Sequence, residues 1–531
     1  MTLDPLLVDG GSLTIEDVVA VARRQRPVQL AASARGAMQA SRAYVESLLT
    51  PDAPPVYGLN TGFGVFANRS VSPADSARLS RNLIVSHAVG VGEPFPEDVV
   101  RAAMLIRANT LAIGHSGARP EVVETLLEML NAGVHPIVPQ QGSLGSSGDL
   151  APLCHLALVL LDDEESGEAI YHGQRLSGQR AMEAARLKRL TLGAKEGLAL
   201  SNGATFSAAV AALAASDAGT LIADATLATA LALEALLGVS LAFDERLHAS
   251  RRHSGQRRVA TALRRLIEGS SFVNAAGRVQ DPYSLRCAPQ IIGPVYDTLR
   301  FVRGWIENEI NAATDNPLLF RDGDSFTAIS GGNFHGEIIG LGMDYLGIAI
   351  AEIGALAEQQ INRLLNEKLS FGLPPMLVSS PDIAGLNSGL MMPHYTAVSL
   401  ALENQTLAHP DSVHSLPTSA GQEDHNANAL TAARHASRII AYVAHILAIQ
   451  FFTVAQAVDL RAAGEKQLAP ATAAAYARLR RDVPFVERDR LYQRDLERLR
   501  ALVLSGELIQ TVESETGIQL LPQRPEEKNS A

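Results

Sequence analysis

Cysteine, tryptophan and aromatic residues in general are scarce in this chain. Two cysteines among 531 residues, Cys154 and Cys287, supply no disulfide framework and fit a reducing compartment, the cytoplasm. One tryptophan and 5% aromatics, set against abundant Ala and Leu, argue for helices over sheets. There is no basic block and the net charge is -11, which argues against a nucleic-acid partner. Residues 1–11 lack the basic-then-apolar pattern of a secretory signal. The most apolar window, residues 218–243, is interrupted by Asp224 and Glu234. It reads as an Ala-rich buried helix, not a membrane span. His414 and His425 flank Gln422-Glu423-Asp424, but no H-E-x-x-H, C-x-x-C or paired-histidine spacing accompanies them. No metal centre is expected.

What is present is apolar and periodic. Hydrophobic residues make up 47% of the chain, enough for a sizeable core. Helices are expected at 13–24 with Thr14 as cap, at 72–87, 96–114, 120–132 and 153–161, with a short hairpin around 169–175. Three longer segments follow. Residues 337–366 place Ile350, Ile353, Leu364 and Leu365 on one stripe, 385–408 contain Pro393 as a kink, and 428–460 carry Ile439, Val443, Ile446 and Phe452. Helices near thirty residues are roughly 45 Å long, which suits a bundle or an assembly of bundles. The expected division is an N-terminal region 1–200, a central long-helix bundle 201–460 and a helical C-terminal region 461–531. The last ends in a polar tail, 524–531, expected to be disordered.

Five stretches carry chemistry. In Gly142-Ser143-Leu144-Gly145-Ser146-Ser147-Gly148-Asp149-Leu150-Ala151-Pro152-Leu153, three small residues lie between a glycine turn and a helix start, with Asp149 an N-cap type. Taken alone, that is a loop and a capped helix. Tyr57-Gly58-Leu59-Asn60-Thr61-Gly62-Phe63-Gly64 is irregular and glycine-rich, a surface loop with a tyrosine if nothing else is known. Ser86-His87 sits where a helix breaks, a place where histidines usually cap or face solvent. Asn202, in Lys195-Glu196-Gly197-Leu198-Ala199-Leu200-Ser201-Asn202-Gly203, is by itself a turn residue. Arg278-Val279-Gln280-Asp281-Pro282-Tyr283-Ser284-Leu285-Arg286-Cys287 is either a solvated polar loop or a zwitterion site. Arg286 would supply a planar fork for a carboxylate, with Gln280 and Tyr283 as hydrogen-bonding groups.

Together and in this order, with Asp315-Asn316-Pro317 and Ser330-Gly331-Gly332-Asn333-Phe334-His335-Gly336, these stretches resemble the aromatic amino acid ammonia-lyases and 2,3-aminomutases. The histidine ammonia-lyases are nearest in pattern, and the resemblance covers roughly residues 12–520. It implies a mainly α fold, a long-helix bundle of the ammonia-lyase type with a smaller mixed N-terminal region, assembled as a homotetramer whose active sites mix loops from several chains. It implies no external cofactor. In the family the tripeptide cyclises by itself to 4-methylidene-imidazole-5-one. Here the Gly148 amide nitrogen would attack the Ser146 carbonyl carbon and Ser147 would lose its side-chain water. The family usually has Ala at the position of Ser146. Tyr57 is implied as the base that takes the β-proton, which calls for a depressed pKa or a coupled proton path. Asn202, Tyr283 and Phe334 are implied to contact the ring or the amine, and Arg286 to clamp the carboxylate.

Substrate choice is implied by Ser86-His87, the pair that histidine lyases carry, with Glu423 placed to accept from an imidazole N–H. The expected small-molecule substrate is L-histidine and the product urocanate. Asn426-Ala427-Asn428 replaces the family's usual V-S-M, and residues 365–374 and 515–520 look more like bacterial aminomutases. A histidine 2,3-aminomutase forming β-histidine, or a related tyrosine enzyme, is the alternative. An aspartase-like lyase is disfavoured, because its G-S-S loop continues with M-P-x-K-x-N, absent here.

Overall fold

The computed structural model describes residues 4–323, 325–461 and 467–520. The expected tail at 524–531 lies outside the described residues. The chain forms two compact units. The first comprises Met1–Ser216, Val302–Asp344 and Pro410–Arg434, and the second Asp217–Phe301, Tyr345–His409 and His435–Ala531. These bounds differ from the expected division into 1–200, 201–460 and 461–531. The difference follows from helix length: four of the five unit boundaries fall inside Thr205–Ala235, Ala288–Glu309, Glu337–Leu365 and Ala429–Arg461. A helix of 33 residues is about 50 Å long, more than one small core covers.

The first unit is helical with small sheets at its margins. Thr14 caps Ile15–Arg24 in a capping box: its hydroxyl accepts from Asp17 N at 3.1 Å, and the Asp17 carboxylate accepts from Thr14 N at 3.2 Å. Pro120–Ala132 forms as expected, ending on Gly133 in the left-handed region. Glu97–Ala112 is buried from Val99 onward, with two arginines inside that run. Arg101 satisfies itself on backbone carbonyls, including Val21 O at 2.8 Å and Leu130 O at 3.1 Å. The hairpin forms between Glu168–Tyr171 and Gln174–Ser177, with Ala169 opposite Leu176.

In the second unit the stripe Ile350, Ile353, Leu364 and Leu365 is fully buried. Buried amides stitch its helices: Gln360 Nε2 donates to Ser284 O at 2.8 Å and to Thr229 Oγ1 at 3.2 Å. The expected kink at Pro393 does not occur. The helix is Met391–Leu407, so Pro393 is in its first turn, where no intrahelical N–H bond is lost. Most of the apolar window 218–243, up to Ala235, belongs to the longer helix Thr205–Ala235, and its end, Ser240–Phe243, forms a short 3-10 turn. Among the described residues three helices are long and apolar enough to cross a membrane by length and composition, Thr205–Ala235, Glu337–Leu365 and Ala429–Arg461. Most of the apolar window in the first and third is buried within the protein.

Candidate active site

The site is built in the first unit around the serine–serine–glycine loop. Asp149 precedes the helix Leu150–Leu160 but makes no side-chain cap to it, against expectation. Its buried carboxylate instead accepts from Ser207 N at 2.7 Å and Ser207 Oγ at 3.0 Å, so it caps the start of Thr205–Ala235. Ser143 Oγ donates to the same carboxylate at 2.7 Å and accepts from Gly145 N at 3.0 Å. Asp149 thus pins both flanks of the loop. Burial raises its pKa, while the Ser207 and Ser143 donors oppose that rise.

Gly148 forms a parallel bridge with Gly203, and Asp149 N donates to Gly203 O at 2.8 Å. The approach leaves no room for a side chain. Gly148 has φ +72°, and a Cβ there would lie 2.1 Å from Gly203 N. Gly203 has φ +125°, and a Cβ there would lie 2.2 Å from Thr314 O. Asn202, between these contacts, donates from Nδ2 to Ser147 O at 2.7 Å, while its Oδ1 is buried with no hydrogen-bond partner. Behind it the wholly buried Arg107 donates to Asn202 O. Burial lowers the Arg107 pKa to about 10, against the pull of Asp315 and Asp149. Lys195 and Asp315, both fully enclosed, pair at 2.7 Å.

A cavity of about 850 Å³ opens over the loop. Tyr57, His87, Ser146, Ser147, Asn202, Phe334 and Glu423 all line it, so most of the sequence-predicted residues converge. Gly148 lies buried just outside the lining. Ser86 is exposed and does not line the cavity; its hydroxyl lies 2.9 Å from His87 Nδ1. Gln280, Tyr283 and Arg286 belong to the second unit. There Tyr283 is exposed, Arg286 stacks over its ring at 4.7 Å, and Arg286 Nε donates to Asp281 O at 2.7 Å.

Tyr57 packs edge-on against Phe63 at 6.2 Å, and its hydroxyl accepts from Gly64 N at 3.1 Å. Burial raises its pKa above the usual tyrosine value. Gly64 N–H opposes this, and the charge of Glu423 adds to it. Of the two expectations, a depressed pKa or a coupled proton path, the chain by itself does not supply the first. Burial lowers the His87 pKa, against the Leu83 carbonyl and Glu423, so the ring is neutral near pH 7. Glu423 is held by Thr418, whose Oγ1 donates to Oε2 at 3.1 Å and whose N donates to Glu423 O at 2.8 Å. Among the described residues no group of three or more His, Cys, Asp or Glu side chains is placed to hold a metal ion.

A helical fold with a cavity over a glycine-locked tripeptide fits a carbon–nitrogen lyase, and the likeness to known proteins shows that class. The chain belongs to the aromatic amino acid lyase family, whose model matches residues 13–481. It is similar to the histidine ammonia-lyase of Alkaliphilus oremlandii, 45% identical over 516 residues that cover 97% of this chain and 99% of that protein. Among solved structures it is similar to a tyrosine aminomutase from Streptomyces globisporus, with TM-score 0.91 and 37% identity, covering 97% of this chain and 100% of that one. It is also similar to the histidine ammonia-lyase of Trypanosoma cruzi, with TM-score 0.88 and 35% identity, covering 99% of each chain.

Sequence reasoning passed over two groups near the loop. Arg107 had a signal: a cation inside the apolar run Ala102-Ala103-Met104-Leu105-Ile106-Arg107-Ala108 needs buried acceptors. Glu309 had none. It ends Ala288–Glu309 with Oε1 enclosed and unpartnered, and burial, then the charge of Asp149, push its pKa up to about 7.

Proposed function

We propose that this enzyme eliminates ammonia from L-histidine to give urocanate, using 4-methylidene-imidazole-5-one formed from Ser146-Ser147-Gly148. One observation carries the reading. Gly148 is locked against Gly203 while the Asn202 amide holds the Ser147 carbonyl oxygen, so the backbone is already bent and braced at the three residues the ring requires. The unpartnered Asn202 Oδ1 adds a buried acceptor in the same place. When formed, the group supplies an electrophilic methylidene carbon that draws electrons from the substrate amine.

The remaining work falls to side chains. Glu423 accepts from the imidazole N–H, and neutral His87 lines the same wall without adding charge. Tyr57 takes the β-proton. Its phenol is protonated in the empty cavity; Gly64 N–H favours the phenolate, and the ammonium of a bound substrate would favour it further. Arg286 clamps the carboxylate and Tyr283 steadies the amine, both from a neighbouring copy in a homotetramer. Support for this comes from the cavity being lined by first-unit residues while Arg286 and Tyr283 belong to the second unit. Cys154 and Cys287 are unpaired, which supports a cytoplasmic setting.

A second reading, a 2,3-aminomutase that returns the amine to Cβ, is favoured by the likeness to the Streptomyces globisporus enzyme. Incubation with L-histidine decides between them: urocanate supports the lyase, β-histidine the mutase, and neither product rejects both. E423Q should weaken use of L-histidine more than use of L-tyrosine. Equal losses would remove Glu423 as the imidazole reader.

A further inference from the structure

Ring closure uses only the backbone of residue 146, so its hydroxyl is left without a task. The structure gives it one. Ser146 is 4% exposed, and its Oγ accepts from Ala427 N at 2.9 Å and donates to Leu144 O at 3.2 Å. Ala427 is itself fully buried. It ends the loop, residues 410–428, that carries Glu423. This loop is conformationally costly. Ser419, Ala420 and Asn428 have φ +51°, +54° and +50°, a region that residues with side chains rarely adopt. Such a loop persists only if anchored from outside. At its start the Asp344 carboxylate accepts from Asp411 N at 3.1 Å and Ser412 N at 2.9 Å. At its end Ser146 anchors the Ala427 amide, beside a contact of 3.1 Å between His335 Nε2 and the His425 carbonyl oxygen.

Glu423 lies between the two anchors, and Asn426 N, next to Ala427, donates to Ser415 Oγ at 2.8 Å within the loop. The contact also joins two departures from the family pattern: serine for alanine at 146, and alanine for the serine of V-S-M at 427. We infer that the Ser146 hydroxyl latches the Glu423 loop to the tripeptide, positioning the group that reads the substrate. Ser146 is in this respect a positioning residue. The inference rests on the proposed reading of Glu423 and of the tripeptide.

The test compares wild type with S146A by intact mass, amide hydrogen exchange and kinetics on L-histidine. In S146A the chain still loses two waters, since the ring needs no hydroxyl at this position. Exchange at the Ala427 amide becomes at least tenfold faster while Ser412, at the other anchor, keeps its protection. KM rises about tenfold, the effect of stranding one buried donor, and kcat falls far less. Unchanged exchange at Ala427 overturns the latch. So does equal loss at Ser412, which would mean general loosening. An S146A chain of full mass overturns it too, because the hydroxyl would then serve ring closure. A wild-type chain of full mass sinks the tripeptide reading instead, and the exchange experiment still reports on the hydrogen bond.

Discussion

At the scale of single residues, the proposed chemistry separates groups that would form the electrophile from groups that would hold it. Ser147 belongs to the first kind, because its side chain must leave as water. S147A should keep the helical circular dichroism and melting behaviour of wild type, retain the full calculated mass, and lose activity on L-histidine by more than a thousandfold. Retained turnover would contradict the tripeptide chemistry. Glu309, close enough to the loop to feel the charge of Asp149, titrates in a useful range. Its carboxyl sits at about 7 in the folded chain because of burial and the nearby Asp149 charge, against about 4.3 unfolded. The native state therefore binds more protons between these values, and stability falls as pH rises through that window. The contribution is full below about pH 4.3 and gone above about pH 7. E309Q should flatten the fall in urea midpoint over that range. A slope identical to wild type would show that Glu309 ionises freely.

At the scale of elements, the loop is shaped by glycine contacts and by one carboxylate. Gly203 lies between Asn202 and the start of Thr205–Ala235, and a methyl there would meet Thr314 O at 2.2 Å on a backbone of φ +125°. G203A should lower the melting temperature and block dehydration, because moving Gly203 moves its partner Gly148. A G203A chain that melts like wild type and loses both waters would show that the bridge is not needed. Much of this level could be read in the sequence. Helices with a cap and an apolar period were placed to within a few residues, as at Ile15–Arg24, Pro120–Ala132 and Glu337–Leu365, since local signals determine them. Asp149 and Pro393 were misjudged for one reason. Their local neighbourhood suggests a cap and a kink, but Asp149 turns to Ser207, 58 residues away, and Pro393 falls inside a first turn because residues 385–390 do not join the helix. Arg107 and Glu309 take their meaning from packing across the fold, which no local window contains. The convergence of Tyr57, His87, Asn202 and Glu423 was legible only through motif resemblance, because they are 30 to 221 residues apart in sequence steps.

At the scale of the whole molecule, the cavity is lined by first-unit residues, while Arg286, suited to a substrate carboxylate, and Tyr283, suited to its amine, stand in the second. Tyr283 is 69% exposed, although it lies in a stretch rich in binding groups. Exposed aromatic and arginine side chains are what an interface between copies uses. If each site combines the first unit of one copy with Arg286 of another, two defects can compensate. Y57F destroys the base and leaves Arg286 intact; R286A does the reverse. Each variant alone should be nearly inactive. Equal amounts dissociated and reassembled together should recover about one quarter of wild-type activity, because in random assembly about one site in four draws both intact parts from different chains. The recovered activity should appear only after subunit exchange and should follow its rate. If Tyr57 and Arg286 served the same site from one chain, every site in the mixture would keep one defect and no activity would return.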